Sequence, residues 1–221
     1  MTTRAALLVL ADGRFPAGGH AHSGGAEPAV KAGHIRDAQD LAEFCLGRLH
    51  TTGLTSAALA AAAAHGLDPL ALDEAADART PSPALRNVAR RLGRQLMRAA
   101  RATWPSLELA ALAEARPRGA HQPVVLGLTA RAAGLGPADA AHCVAYETVS
   151  GPATAVVRLL SLDPFEATAV LARLAPALDQ VAEQAAAAAL GGIDALPAAS
   201  APMIDISAEA HAAWPVRLFA S

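Results

Sequence analysis

The chain has 221 residues, a usual size for one domain, and a net charge of −2 with a pI near 6.4. Alanine fills 60 positions, about 27%, seven residues are aromatic, and Lys31 is the one lysine among 18 basic residues. This mix leaves too few β-branched and aromatic residues for a sandwich or barrel, too much apolar content for a disordered chain, too few cysteines (Cys45 and Cys143) for a disulfide scaffold or a Cys-based zinc module, and no basic excess that would point to nucleic acid. Alanine is the strongest helix former, so composition predicts an all-α protein.

In chain order, residues 4–11 (RAALLVLA) form a short apolar element, too short for the apolar run of a signal peptide. Residues 12–25 are dense in Gly and Pro and read as a loop. Ser23 is placed to cap a helix over about 24–33 that Gly33 ends. Asp37 or Arg36 opens a helix to about His50, with Leu41, Phe44, Cys45 and Leu49 on one stripe. Thr51 or Thr52 begins an Ala-rich helix ending near His65-Gly66. This region contains the longest uncharged stretch, Leu49 to Leu67, which the positive mean hydropathy of +0.28 invites one to read as a membrane span. Its His50, Thr51, Thr52, Gly53, Thr55, Ser56, His65 and Gly66, set among alanines that gain little from lipid, predict a packed helix instead. The expected location is cytoplasmic, with no membrane association.

Asp68-Pro69 restarts a helix, and residues 79–83 break it. Over about 83–103, Leu85, Val88, Leu92, Leu96, Ala99 and Thr103 fall on one face, with Arg86, Arg90, Arg91, Arg94, Arg98 and Arg101 opposite. No acid lies between Asp77 and Glu108, so that face is basic and locally unbalanced. Residues 116–119 form a loop. Helices are expected over about 121–133 and 137–149, with Gly151-Pro152 interrupting before 153–160. A further helix covers 165–175, and Pro176 kinks it or starts another that ends at Gly191-Gly192. Residues 194–204 read as extended, and the tail from 205 to 214 as a helical turn or two. The expectation is a single compact bundle of about nine to eleven short helices across residues 1–221, with a signature loop in 1–27 and an extended linker and docking tail in 194–221.

Two segments stand out chemically. The stretch DGRFPAGGHAHSGGAE (12–27) packs five Gly, two His and two acids into one loop. His20 and His22, with Asp12 or Glu27, are weak candidates for a metal site; the plainer reading is glycine-set turns with a structural or interface role. The tail HAAWPVRLFAS (211–221) puts Trp214, Val216, Leu218 and Phe219 at a terminus that must dock on its own core or on a partner. Neither Cys143, beside His142 and Glu147, nor Cys45 has the base and oxyanion site a nucleophile needs, so both read as buried small residues. No nucleophile elbow, dinucleotide fingerprint or phosphate loop appears, and an enzyme is not expected.

The run LLVLADGRFPAGGHAHSGGAE (7–27) resembles the signature of the UreF family of urease accessory proteins. Asp12, Phe15, Pro16, Gly18, Gly19, His22, Ser23, Gly25 and Glu27 match it. GRQLMRAA (93–100) resembles an internal family pattern, residues 121–160 its later helices, and Arg217-Leu218-Phe219-x-Ser221 its ending. Ala26 departs from the family's Leu, His20 from a frequent aromatic, and Asp163-Pro164 from a frequent Gly-Gln, which mark a divergent member. The resemblance implies an all-α homodimer acting in maturation of the nickel enzyme urease. It further implies a complex with a UreD/UreH-type protein and the GTPase UreG that delivers nickel to apo-urease, with an influence on GTP hydrolysis by UreG.

It also implies a C-terminal segment that orders on the UreD-type partner. Taken with the residues, this makes the chain a non-enzymatic scaffold with no cofactor of its own, although nickel passes through the complex. Its working surfaces are the 12–27 loop, the tail with Trp214, Arg217, Leu218 and Phe219, and the arginine face. Arg217 is expected to tie the tail to the loop near His20. The alternative is a metallochaperone that binds nickel directly through His20 and His22. A third idea is an arginine from Arg86–Arg101 inserted to activate the GTPase.

Overall fold

The computed structural model describes residues 4–220, Arg4 by its backbone only. Among them it shows no strand and eleven α-helical segments: α1 (Arg4–Ala11), α2 (Ala26–Lys31), α3 (Ala38–Arg48), α4 (Leu54–His65), α5 (Pro69–Ala78), α6 (Pro83–Thr103), α7 (Leu107–Ala115), α8 (Gln122–Ala132), α9 (Pro137–Leu160), α10 (Pro164–Ala189) and α11 (Pro202–Ala212). The all-α expectation holds. No described helix is long and apolar enough to cross a membrane.

The uncharged stretch once tested as a span is the centre of the molecule. Every α4 residue from Leu54 to Ala64 except Ser56 is buried, as a helix apolar on all sides must be. It packs against α8, α9 and α10. Alanine makes that packing close. A methyl group at Gly127 of α8 would sit 2.2 Å from the Ala60 carbonyl oxygen, and one at Gly93 of α6 would sit 1.9 Å from that of Ala120. The core is therefore built from short side chains and near backbone approach rather than from large residues.

Chain punctuation locates most helix ends. Asp37 accepts hydrogen bonds from the amides of Gln39 and Asp40, and Asp68 from those of Leu70 and Ala71. Ser82 caps α6 and Ser106 caps α7 in the same way. Gly66, at φ 106°, ends α4 in the left-handed conformation that glycine adopts without a Cβ penalty.

Several expected boundaries are corrected. No break occurs at Thr51 or Thr52: α3 passes through a π turn (Leu49–Gly53) straight into α4. Helix α9 runs unbroken through Gly151-Pro152, and α10 through Pro176. Pro152 lacks the N–H that would bond to the Thr148 carbonyl four residues back; Arg48 Nε donates to that oxygen instead, at 3.2 Å. The Cys45 thiol adds a bond to the neighbouring Val149 carbonyl at 3.8 Å. Helix α7 was not foreseen, although Pro105-Ser106 is a helix-start signal. The extended stretch ends at residue 201, and α11 is a three-turn helix rather than a turn or two.

Part of the arginine face of α6 is engaged within the chain. Arg90 pairs with Asp73 at 3.1 Å and with Asp77, both on α5. Asp73, buried, also accepts from Arg116 Nε at 2.8 Å and the His121 amide at 2.7 Å. Arg94 donates to the Arg118 carbonyl, and Arg86 to that of Thr80 at 2.7 Å.

Candidate functional site

The loop after α1 is set by its own polar groups. Asp12 accepts from the Arg14 amide at 2.8 Å and pairs with the Arg14 guanidinium, which holds its carboxyl at about 2. The Asp12 carbonyl takes the Phe15 amide at 2.8 Å. The Phe15 ring stacks on Trp104, centroids 5.8 Å apart, and fastens the loop to the end of α6. Pro16 and Gly19 are exposed. Gly18 turns at φ 81°, where a side chain would also collide with Gln95. Ser23 is buried, and its Oγ accepts from the Glu27 amide at 3.2 Å; the N-cap position of α2 is Gly25, at φ 89°.

Glu27 is the hub. Its Oε1 accepts from the Leu218 amide at 2.8 Å, and its Oε2 from the Phe219 amide at 3.0 Å and from His211 Nε2 at 2.9 Å. Burial works against its charge, but the Leu218 amide, His211 and the Phe219 amide outweigh it and hold the carboxyl below its ordinary value. One carboxylate thus binds α11 and the terminal tail to the start of α2. The Ala220 amide donates to the Ala21 carbonyl at 2.8 Å. Trp214 lies edge-on to His211 with the Lys31 ammonium 3.8 Å from its ring, and Arg158 stands over Phe219 at 5.0 Å.

The structure therefore joins the two segments that the sequence singled out, but through a different residue. Arg217 was expected to make the tie; it is exposed beside His20, and the bonds that hold the tail run through Glu27 and backbone amides. Phe219 is buried as an anchor, while Val216 and Leu218 are 81% and 66% exposed. Ser221, the last residue of the family ending, lies outside the described residues. His211 stands in the sequence with no acid at a local spacing that would mark it. Its acid partner lies 184 positions away in the chain, so no local spacing could announce it.

His20 is exposed and His22 half-buried. Burial, then the charges of Arg91 and His20, push His22 down to about 4, so its imidazole is neutral at physiological pH. Among the described residues, no three His, Cys, Asp or Glu side chains gather as a metal-holding group. Glu27, offered as an oxygen ligand, is committed to the tail. Cys45 and Cys143 are buried thiols pushed up to about 12 by desolvation, the state of packing residues.

Between the loop, α6, α9, α11 and the tail lies a cavity of about 590 Å³. Leu85, Val88 and Leu92 of the α6 stripe form one wall, and Arg48, Gln122, Glu147 and Arg91 are among its polar groups, as is Asp12. Glu147, noted in the sequence only as a neighbour of Cys143, is pushed up to about 7 by burial, against a 2.6 Å hydrogen bond from the Gln122 amide.

The family model for UreF matches residues 35–175. Curated relatives named urease accessory protein UreF are similar along the whole chain. That of Mycobacterium sp. (strain JLS) is 44% identical over 222 residues and that of Mycolicibacterium vanbaalenii 43% over 225, each covering all of both chains. That of Mycobacterium tuberculosis is 41% identical over 214 residues, covering 96% of this chain and 95% of its own. The family model covers the helical body but not the loop–tail junction, whereas the relatives span both. The chain belongs to the UreF family of urease accessory proteins.

Proposed function

We propose that the chain is a scaffold in urease maturation. It joins a UreD/UreH-type protein to the GTPase UreG so that nickel reaches apo-urease. The observation that carries this reading is the way the tail docks. It is held by backbone amides and one buried ring, leaving Val216, Arg217 and Leu218 turned outward beside the glycine-rich loop. A segment fixed through its backbone presents its side chains to something else, and exposed apolar residues rimmed by arginine suit a protein partner. The chain is taken to work as a homodimer within that complex.

Influence on GTP hydrolysis by UreG is part of the same proposal. Arg86, Arg90, Arg91 and Arg94 are engaged within the chain, so an arginine inserted into the GTPase is sought at Arg98 or Arg101. The test is co-expression with UreD- and UreG-type proteins and apo-urease. The expected result is that the chain co-purifies with both partners, and that a chain lacking 211–221 stays helical but loses the UreD-type partner and urease activation. Full partner capture by the truncated chain would contradict the proposal. So would a tight stoichiometric nickel site lost in the His20→Ala, His22→Ala double variant, which would favour direct metal carriage.

A further inference from the structure

Arg48 raises a question that neither the fold nor the scaffold reading answers. It leaves the end of α3 and enters the cavity between the loop, α6 and α9. Its Nε–H is spent on the Thr148 carbonyl that Pro152 frees. Its two Nη groups meet no acceptor among the described residues, and they are not sealed off from the cavity. The ion pairs of Arg14, Arg36, Arg90, Arg116 and Arg131 have no counterpart at Arg48. Among the described residues, the one ionisable group that acts on it is the Cys45 thiol, which is neutral, and burial pulls the guanidinium below its ordinary value.

A half-buried guanidinium with no opposing charge among the described residues is costly. Bonding Thr148 needs one donor; it does not need the fork. The other acids of the lining do not supply the missing charge. Asp12 is held by Arg14, and Glu147 accepts from Gln122. Gly24, at φ 60°, lies against the same guanidinium: a Cβ there would stand 3.4 Å from Cζ and 3.2 Å from Pro152 Cγ. The cavity volume falls within the range of small-molecule sites, about 300–1,000 Å³.

We propose that this cavity binds a small carboxylate-bearing molecule, with the two Nη groups of Arg48 taking the carboxylate as a fork. Leu85, Val88, Leu92 and Val144 line the space left for its hydrocarbon body. A planar two-donor fork matches a carboxylate in bidentate geometry, and an apolar wall favours an organic acid over inorganic phosphate. The proposal does not depend on the scaffold reading.

The test is calorimetric titration of the full chain with benzoate, butyrate, benzamide and inorganic phosphate. The wild type is expected to bind benzoate or butyrate at least about tenfold more tightly than benzamide or phosphate, as a charge-assisted hydrogen bond allows. Arg48→Gln is expected to lose that binding. Because Arg48→Gln also weakens the support of α9, Arg48→Lys is measured beside it, with circular dichroism to establish folding. The lysine keeps the charge but not the fork, and is expected to bind several-fold more weakly than wild type. The proposal is overturned if no carboxylate binds, if benzamide or phosphate binds as tightly, or if a folded Arg48→Lys protein binds benzoate unchanged.

Discussion

Glu147 shows how a single residue couples this fold to pH. Its carboxyl titrates near 7 in the folded chain against about 4.5 in the unfolded one, because burial disfavours the ionised form. The folded state therefore binds the proton more tightly, and stability falls as pH rises from about 4.5 to about 7, then levels off. Glu147→Gln keeps an acceptor for Gln122 and removes the ionisation. It is expected to raise unfolding stability by about 1 kcal/mol at pH 8 and to leave it unchanged at pH 4, measured by urea titration at both pH values. Asp73 is a buried acid of another kind, surrounded by Arg90, Arg116 and the His121 amide. Asp73→Ala leaves two half-buried arginines without that partner, and is expected to cost about 3 kcal/mol in the same titration.

At the scale of elements, the glycines in the helices mark where backbones meet. Gly127→Ala places a methyl group against the Ala60 carbonyl, so α8 must move off α4; the expected loss is about 2 kcal/mol or more by thermal unfolding. Element identity was largely legible in the sequence because caps and stripes are local. Asp37 and Asp68 act within one turn, and the α6 stripe repeats every three or four residues. The missed boundaries have non-local causes. Pro152 reads as a break from its own position, but Arg48, about 100 residues earlier, supplies the lost bond. Arg90, on the basic face of α6, likewise finds its acids Asp73 and Asp77 on a separate helix.

At the scale of the molecule, two ends of the chain become one surface. Sequence reading found both segments, since unusual composition and family likeness are visible there, but assigned the tie to Arg217. The carboxylate of Glu27 makes it instead, because a buried acid can accept the tail's amides and His211 together, whereas an exposed guanidinium has water to bond. Glu27→Gln weakens this junction by replacing a charged acceptor with a neutral one that has a single oxygen. Faster hydrogen exchange is expected at the Leu218 and Phe219 amides, while α4 keeps its protection. Unchanged exchange at both amides would place the tail's anchorage elsewhere.

The central claim is that the docked tail presents its outward side chains to a UreD/UreH-type partner. It is tested most directly by measuring the affinity of that partner for wild type and for the Val216→Asp, Leu218→Asp double variant. Both positions are exposed, so the fold and the Glu27 bonds are left in place. Affinity is predicted to fall by at least about thirtyfold, the loss of roughly 2 kcal/mol of interface energy. An affinity equal to wild type, with the variant folded, would contradict the account.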